Sequence, residues 1–415
     1  MNWKMKITRD LMWNYVSIAI MAVSGALMNA VIAFFYDSST LGIFNETYAW
    51  YMIISQITVW GIHMSVLKYV PEQDNEKKKR GILKSAVFIT LLLSLCIVVL
   101  CELILIVFPG VIWKRSLQVA LTGLISFSMN KVLLSYLNAI YELVMFAVFQ
   151  SLRYLGLSGI IFLLAVNRIE GEYISLVFPM VEGGMSFLIL FFLFTRNEIR
   201  GHFNVKDARE LFLFGTKILP SNMVVEMNTK VDVVCLGFLI KSTSQIGIYS
   251  FAILFTEGFY MLFMTVRKVI NPGISEFNAN GRLKEYVANV SKKLNLLLWP
   301  VSLAAYILIL TIYYFICRVL VGTEYNIGIF YIAVICMAIV MNGKSIIWGD
   351  FLSQAGYPME ESKVNVLTVF CNIVFNIVLI VGLGTMGAAV ATGMSYFVYG
   401  VLMYKNMIRK TGIKI

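Results

Sequence analysis

The chain is short of charge, of histidine and of any cysteine pattern, and each shortage excludes something. Charged residues make up 14% of its 415 positions, where a soluble globular chain carries about a quarter. A water-facing surface of ordinary size is not built from so few. Cys96, Cys101, Cys235, Cys317, Cys336 and Cys371 all lie in apolar runs, with no metal-ligand or redox spacing. They read as small packing residues. His63 falls inside an apolar run, where it reads as a packed polar residue, and His202 falls in a polar connection. No cofactor and no metal site is expected. No phosphate-binding glycine loop of the Walker kind occurs, so the chain has no means of drawing work from ATP. The longest polar stretches, Arg196–Glu210 and Asn271–Lys292, are too short for a soluble domain. The second reads as a connection with an interfacial amphipathic segment.

What is present is apolar sequence. Hydrophobic residues make up 59% of the chain. Runs near the 20 residues that cross a bilayer follow one another almost without pause. The expected fold class is an all-α polytopic membrane protein. It has about twelve transmembrane helices in two pseudo-symmetric six-helix lobes, residues 1–200 and 201–415. Leu41–Val70 reads as the second crossing, Arg209–Ile240 as the seventh, Ile246–Ile270 as the eighth and Gly328–Ala355 as the tenth. Apolar sequence continuing past Ser24 argues against a cleaved leader in the first.

An internal repeat supports the two lobes. The segment Ser39-Thr40-Leu41-Gly42-Ile43-Phe44 returns as Ser244-Gln245-Ile246-Gly247-Ile248-Tyr249, 205 positions later. At the same displacement Ser17 falls on Asn222, Met21 on Glu226, Ser24 on Thr229 and Gly25 on Lys230. These positions share one helical face. The polar stripe of the first crossing thus recurs, charged, in the seventh, and self-similarity of this kind marks duplicated transporter halves.

Lys and Arg placement orients the chain. With the N-terminus in the cytoplasm, only Lys114, Arg115, Arg168, Lys241 and Arg318 fall in outer loops. Lys4, Lys6, Arg9, Lys77–Arg80, Arg196, Arg200, Arg409 and Lys410 are among the many that fall inside. Both termini are therefore expected in the cytoplasm. The net charge of +11 is then a topology signal whose counterpart is the lipid bilayer, and no nucleic-acid partner is called for. Trp50, Trp60, Trp113, Trp299 and Trp348 fall mostly near expected interfaces, as an aromatic belt does.

The chemistry lies in charges inside the crossings, each costing several kcal/mol unless it meets water or a partner. The deep cations are Lys131, Arg153, Lys217, Lys230 and Lys344. Arg153 has Phe149, Gln150, Gly156 and Leu157 at helical neighbour positions, so no local carboxylate neutralises it. Two readings stand: a fork for phosphate, or a structural pair with an acid such as Glu182. Glu226 and Lys230 are spaced i,i+4 beside Asn222. They read as an intrahelical ion pair or as a gated pair facing a wet cavity, with Pro220 able to kink the helix below them. Asp232, Glu257 and Glu182 join Glu226 as candidates for ion coupling or gating.

On these features the chain resembles the Wzx-type polysaccharide flippases of the multidrug/oligosaccharidyl-lipid/polysaccharide exporter superfamily. The resemblance rests on the two six-helix halves, Ser39–Phe44, the Tyr69-Val70-Pro71-Glu72 exit before a Lys-rich loop, and the late run Gly382–Ala389. It implies a transporter rather than an enzyme, in the bacterial cytoplasmic membrane. The substrate would be an undecaprenyl-diphosphate-linked oligosaccharide moved by alternating access, with proton or sodium coupling and polysaccharide polymerase machinery as a partner. It makes Arg153, Lys131, Lys217, Lys230, Lys344 and Asn222 candidates for the diphosphate or sugar cavity. Two other classes compete. A MATE-like cation or drug antiporter would need a carboxylate cavity without this cation cluster. A polysaccharide polymerase or ligase would need a large outer loop with clustered Arg or His.

Overall fold

The computed structural model describes residues 3–107 and 114–413, with the side chains of 12–107 and 115–413. Trp113 and the side chains of Lys4, Lys6, Arg9 and Lys114 lie outside the described residues. The described residues form helices and connections without a strand. The solvent dictates this: in hydrocarbon every backbone N–H and C=O must find its partner within the chain, and a helix does so locally.

In order the helices are α1 (Trp3–Phe35), α2 (Ser38–Val59), α3 (Ile62–Tyr69), α4 (Glu76–Val107), α5 (Lys114–Ala139), α6 (Leu143–Val166) and α7 (Val177–Thr195). Then come α8 (Val205–Leu239), α9 (Thr243–Ala279), α10 (Leu283–Ile316), α11 (Gly328–Met341), α12 (Gly343–Ile347), α13 (Phe351–Gln354), α14 (Pro358–Leu383) and α15 (Thr385–Thr411). Ten helical segments among the described residues are long and apolar enough to cross a membrane. The expected second and seventh crossings are helical but fall outside those ten because their helices are too polar: α2 carries Asn45, Glu46 and Gln56, and α8 carries Lys217, Glu226, Lys230 and Asp232.

The structure corrects several sequence expectations. Leu41–Val70 is two helices, because Trp60 and Gly61 take left-handed backbone angles, φ +50° and +68°. Gly61 is required there: a Cβ on it would stand 2.7 Å from the Gly215 carbonyl oxygen of α8. Gly328–Ala355 is likewise broken into α11, α12 and α13. Asn271–Lys292 is not a connection, since α9 continues through Pro272 to Ala279 and α10 starts at Leu283. Its charges sit on exposed turns of long helices, as with Arg282 and Glu285 at 2.9 Å, and charge alone does not end a helix. The repeated segments Ser39–Phe44 and Ser244–Tyr249 are helix starts rather than loops. The Asp37 side chain accepts from the Thr40 N–H at 2.8 Å, and Ser242 accepts from Gln245 at 3.5 Å. Short oxygens of this kind satisfy first-turn donors that would otherwise lack partners.

The chain forms two compact units, Met1–Lys230 and Val231–Ile415. The boundary lies inside α8, beyond the 200/201 division read from the sequence. The first part of α8 packs on α2 and α3: Trp60 stacks on Phe212 at 5.5 Å and donates to Thr216 Oγ1 at 2.9 Å, and Ser65 Oγ donates to the Leu211 carbonyl at 2.9 Å. In the first unit α5 is central, packing against α2, α3, α4, α6 and α7, while α1 lies along α6. In the second, α9 packs on α10, α11, α12 and α13, and α15 packs on α11 and α14.

Candidate functional site

The first unit gathers its ionic side chains where α2, α5, α6, α7 and α8 meet. Gly123 lets α5 approach α7 closely, since a Cβ there would lie 2.8 Å from the Pro179 nitrogen. Two turns further along, Asn130 reaches Glu182. Its amide donates to both the Glu182 carbonyl and Oε2 at 2.9 Å, and its own oxygen accepts from Ser186 at 2.8 Å. The Glu182 side chain is 0% exposed. Its Oε1 accepts from Arg153 of α6, at 2.6 Å from Nε and 2.5 Å from the terminal nitrogen. Of the two readings of Arg153, this geometry is the structural pair, fully hydrogen-bonded on the acidic side, as a buried ion pair has to be.

Beside it lies a second, looser arrangement. Phe127 carries the Arg153 guanidinium 4.9 Å and the Lys131 ammonium 5.8 Å from its ring centre. Attraction to the ring face offsets part of the cost of holding two cations close. The Lys131 ammonium also donates to Gln56 Oε1 of α2 at 3.4 Å, and Gln56 Nε2 donates to Glu226 Oε2 of α8 at 3.3 Å. Among the described residues no carboxylate forms an ion pair with Lys131. Glu226 and Lys230 share a face, as their i,i+4 spacing requires, and each meets a side chain of α2. Glu226 turns to Gln56, while the Lys230 ammonium lies 5.6 Å from the Tyr48 ring centre. The spacing put the two on one face, but it could not show what the facing helix offers. Tyr48, Tyr51 and Phe44 stack on Phe178, and among the described residues the buried Tyr51 hydroxyl has no hydrogen-bond partner.

The other candidates are dispersed. On α8, Asn222 is half-buried and Lys217 exposed, and neither joins the cluster. In the second unit Asp232 is buried, accepting from the Tyr249 hydroxyl at 2.8 Å and from the Val233 N–H at 2.9 Å. Glu257 is exposed on α9, and Lys344 is half-buried in α12. A small cavity of about 30 Å³ lined by Tyr69, Gln73, Lys78, Ile82, Asp207, Glu210 and Leu211 lies at the start of α8 and touches none of the candidates. It has room for about one water. Among the described residues no group of three or more His, Cys, Asp or Glu side chains is placed to hold a metal ion.

Two features escaped the sequence reading. Gln56 carries no charge and so gave no signal, although a glutamine in an apolar run is itself unusual. Arg267 lies within α9. It pairs with Asp350 in the turn between α12 and α13, where Asn271 donates to the other carboxylate oxygen at 2.5 Å.

Ten apolar segments among the described residues, and an ionic cluster built from five helices, define a multi-pass membrane protein with buried polar side chains. Solved structures share its fold. "Lipid II flippase MurJ, inward closed conformation" superposes with a TM-score of 0.79 at 15% identity over 96% of this chain and 87% of that one. An inward-facing multidrug resistance MATE family transporter of the MOP superfamily gives 0.74 at 11% identity, over 96% and 99%. The family model described as "Polysaccharide biosynthesis protein" matches residues 55–329, and the chain belongs to that family. The "Probable low-salt glycan biosynthesis flippase Agl15" of Haloferax volcanii is 25% identical over 200 residues, 48% of this chain and 41% of that relative's length. The match therefore spans less than half of the relative.

Proposed function

We propose that the protein is a flippase moving undecaprenyl-diphosphate-linked oligosaccharide units across the bacterial cytoplasmic membrane for cell-surface polysaccharide synthesis. It works by alternating access with proton or sodium coupling, has both termini in the cytoplasm, hands its cargo to polymerase machinery outside, and performs no chemical step. Family membership and the glycan flippase relative support the substrate class. The observation that carries the reading is Lys131. It is a half-buried ammonium on the central helix of its unit, with an amide and an aromatic ring for neighbours and, among the described residues, no carboxylate in ion-pair range. A cation kept in this way at membrane depth suits an anionic headgroup. Arg153, already held by Glu182, supports that site from behind.

The test is native mass spectrometry of the protein with undecaprenyl-diphosphate lipids, with and without sugar, beside a panel of organic cations. Retention of the diphosphate lipids, weakened about tenfold or more by Lys131→Met, is expected. One observation favours the MATE-like cation antiporter instead: Glu226, whose carboxylate has an amide rather than a cation in contact. Retention of organic cations alone, lost on Glu226→Gln, would overturn the flippase reading in favour of that one.

A further inference from the structure

Helices α2, α5 and α8 converge on a single neutral side chain. Gln56 is 4% exposed in the body of α2. Its oxygen faces the Lys131 ammonium at 3.4 Å and its nitrogen faces the Glu226 carboxylate at 3.3 Å, with a further donation to Ser55 Oγ at 3.3 Å. The amide cannot be reversed: turned over, it would aim donors at an ammonium and an acceptor at a carboxylate. Its orientation is fixed by the two charges, and it in turn keeps them apart.

That separation needs a cause. Opposite charges within a few ångströms attract strongly in partly hydrated protein, and both side chains are long and flexible. Yet Lys131 and Glu226 are bridged by an amide rather than joined. An apolar residue at 56 would let them close on one another, and an acid would neutralise Lys131 outright. Glutamine does neither.

We propose that Gln56 is a positioning residue that holds Glu226 off Lys131, leaving the ammonium available to the diphosphate of the lipid-linked substrate. The inference rests on the flippase reading for its ligand, but the spacing of the two charges does not. A diphosphate can displace the amide in front of Lys131 because it brings net charge where the amide brings only a dipole. Gln56 remains bound to Glu226 as this happens, so the acid does not follow the anion in.

Two readouts on the full chain in lipid nanodiscs test this. The first needs no ligand. Dicyclohexylcarbodiimide condenses a touching ammonium and carboxylate into an amide with loss of water, and peptide mass spectrometry locates the link. A bond between positions 131 and 226 is expected in Gln56→Ala and in the volume-conserving Gln56→Leu, and not in the wild type. Its absence from every folded variant, or its presence in the wild type, overturns the proposal. The second is retention of undecaprenyl diphosphate. It should fall about tenfold in Gln56→Ala and return when Glu226→Gln is added, because the competing acid is gone. A loss that Glu226→Gln does not restore would make Gln56 a packing residue and overturn the proposal. A wild type that retains no undecaprenyl diphosphate overturns the flippase reading and the ligand half of this one, and the crosslink still decides whether Gln56 separates the charges.

Discussion

Each unit holds an arginine–carboxylate pair among its helices, Arg153–Glu182 in the first and Arg267–Asp350 in the second, and the two pairs are built differently. In the first unit Glu182 sits within the continuous helix α7, is 0% exposed, and has both oxygens bound. In the second, Asp350 sits in a turn between two short helices and keeps a third of its surface open, 32%, although Asn271 caps it much as Asn130 caps Glu182. One carboxylate is locked into a helix and the other stands at a helix break. A buried pair in a continuous helix has no alternative arrangement, whereas a turn can rotate its acid toward water. The comparison separates a closed pair from an open one: the first is sealed in the wall beside Lys131, and the second stands at a helix break with its acid partly open to its surroundings.

Removing one partner from each pair breaks the comparison most sharply. Arg153→Leu strands a fully buried carboxylate and should cost about 3–5 kcal/mol. Arg267→Leu leaves Asp350 in contact with water and should cost about half as much. Thermal unfolding in detergent, followed by circular dichroism, checks both, and equal losses would erase the distinction.

A smaller effect tests the close backbone approach that joins α8 to the first unit. A Cβ on Gly215 would run into the Trp60 carbonyl, so Gly215→Ala should cost about 1–3 kcal/mol. Gly25→Ala on α1 meets nothing within 4 Å and should be neutral or slightly stabilising, since alanine is the better helix former. The same unfolding assay reads the difference. The smallest change is Ser158→Ala, which removes a 3.0 Å bond to the Ser24 carbonyl on α1 and should cost about 0.5–1 kcal/mol. A larger loss would show that the stripe of small polar residues on α1 does more than pack.

Much of the fold was legible because apolar length and helix-start chemistry are local. The repeat at 205 positions marked two corresponding segments, which the structure makes N-capped helix starts, and the absence of any acid near Arg153 on its own helix required a partner from elsewhere, a ligand or another helix, of which the structure has Glu182. What could not be read depended on the neighbour. Glu226 and Lys230 share a face, as their spacing shows, but Gln56 and Tyr48, which they meet across the helix boundary, stand on α2. The break at Trp60–Gly61 follows from the backbone of α8 more than 150 residues later. The pairing of Arg267 likewise depends on Asp350, in a distant turn between α12 and α13.

The first part of α8 holds to α2 and α3 while its remainder belongs to the other unit, and this matters to anyone who cuts the gene. The polar linker at 196–204 is the obvious place to split the protein into co-expressed fragments. A split there would put Phe212, Gly215 and Thr216 on one polypeptide and Trp60, Gly61 and Ser65 on the other. An internal packing contact would become the seam by which two fragments recognise each other. Fragments made this way are therefore suited to reconstitution, and poorly suited to the study of either half alone.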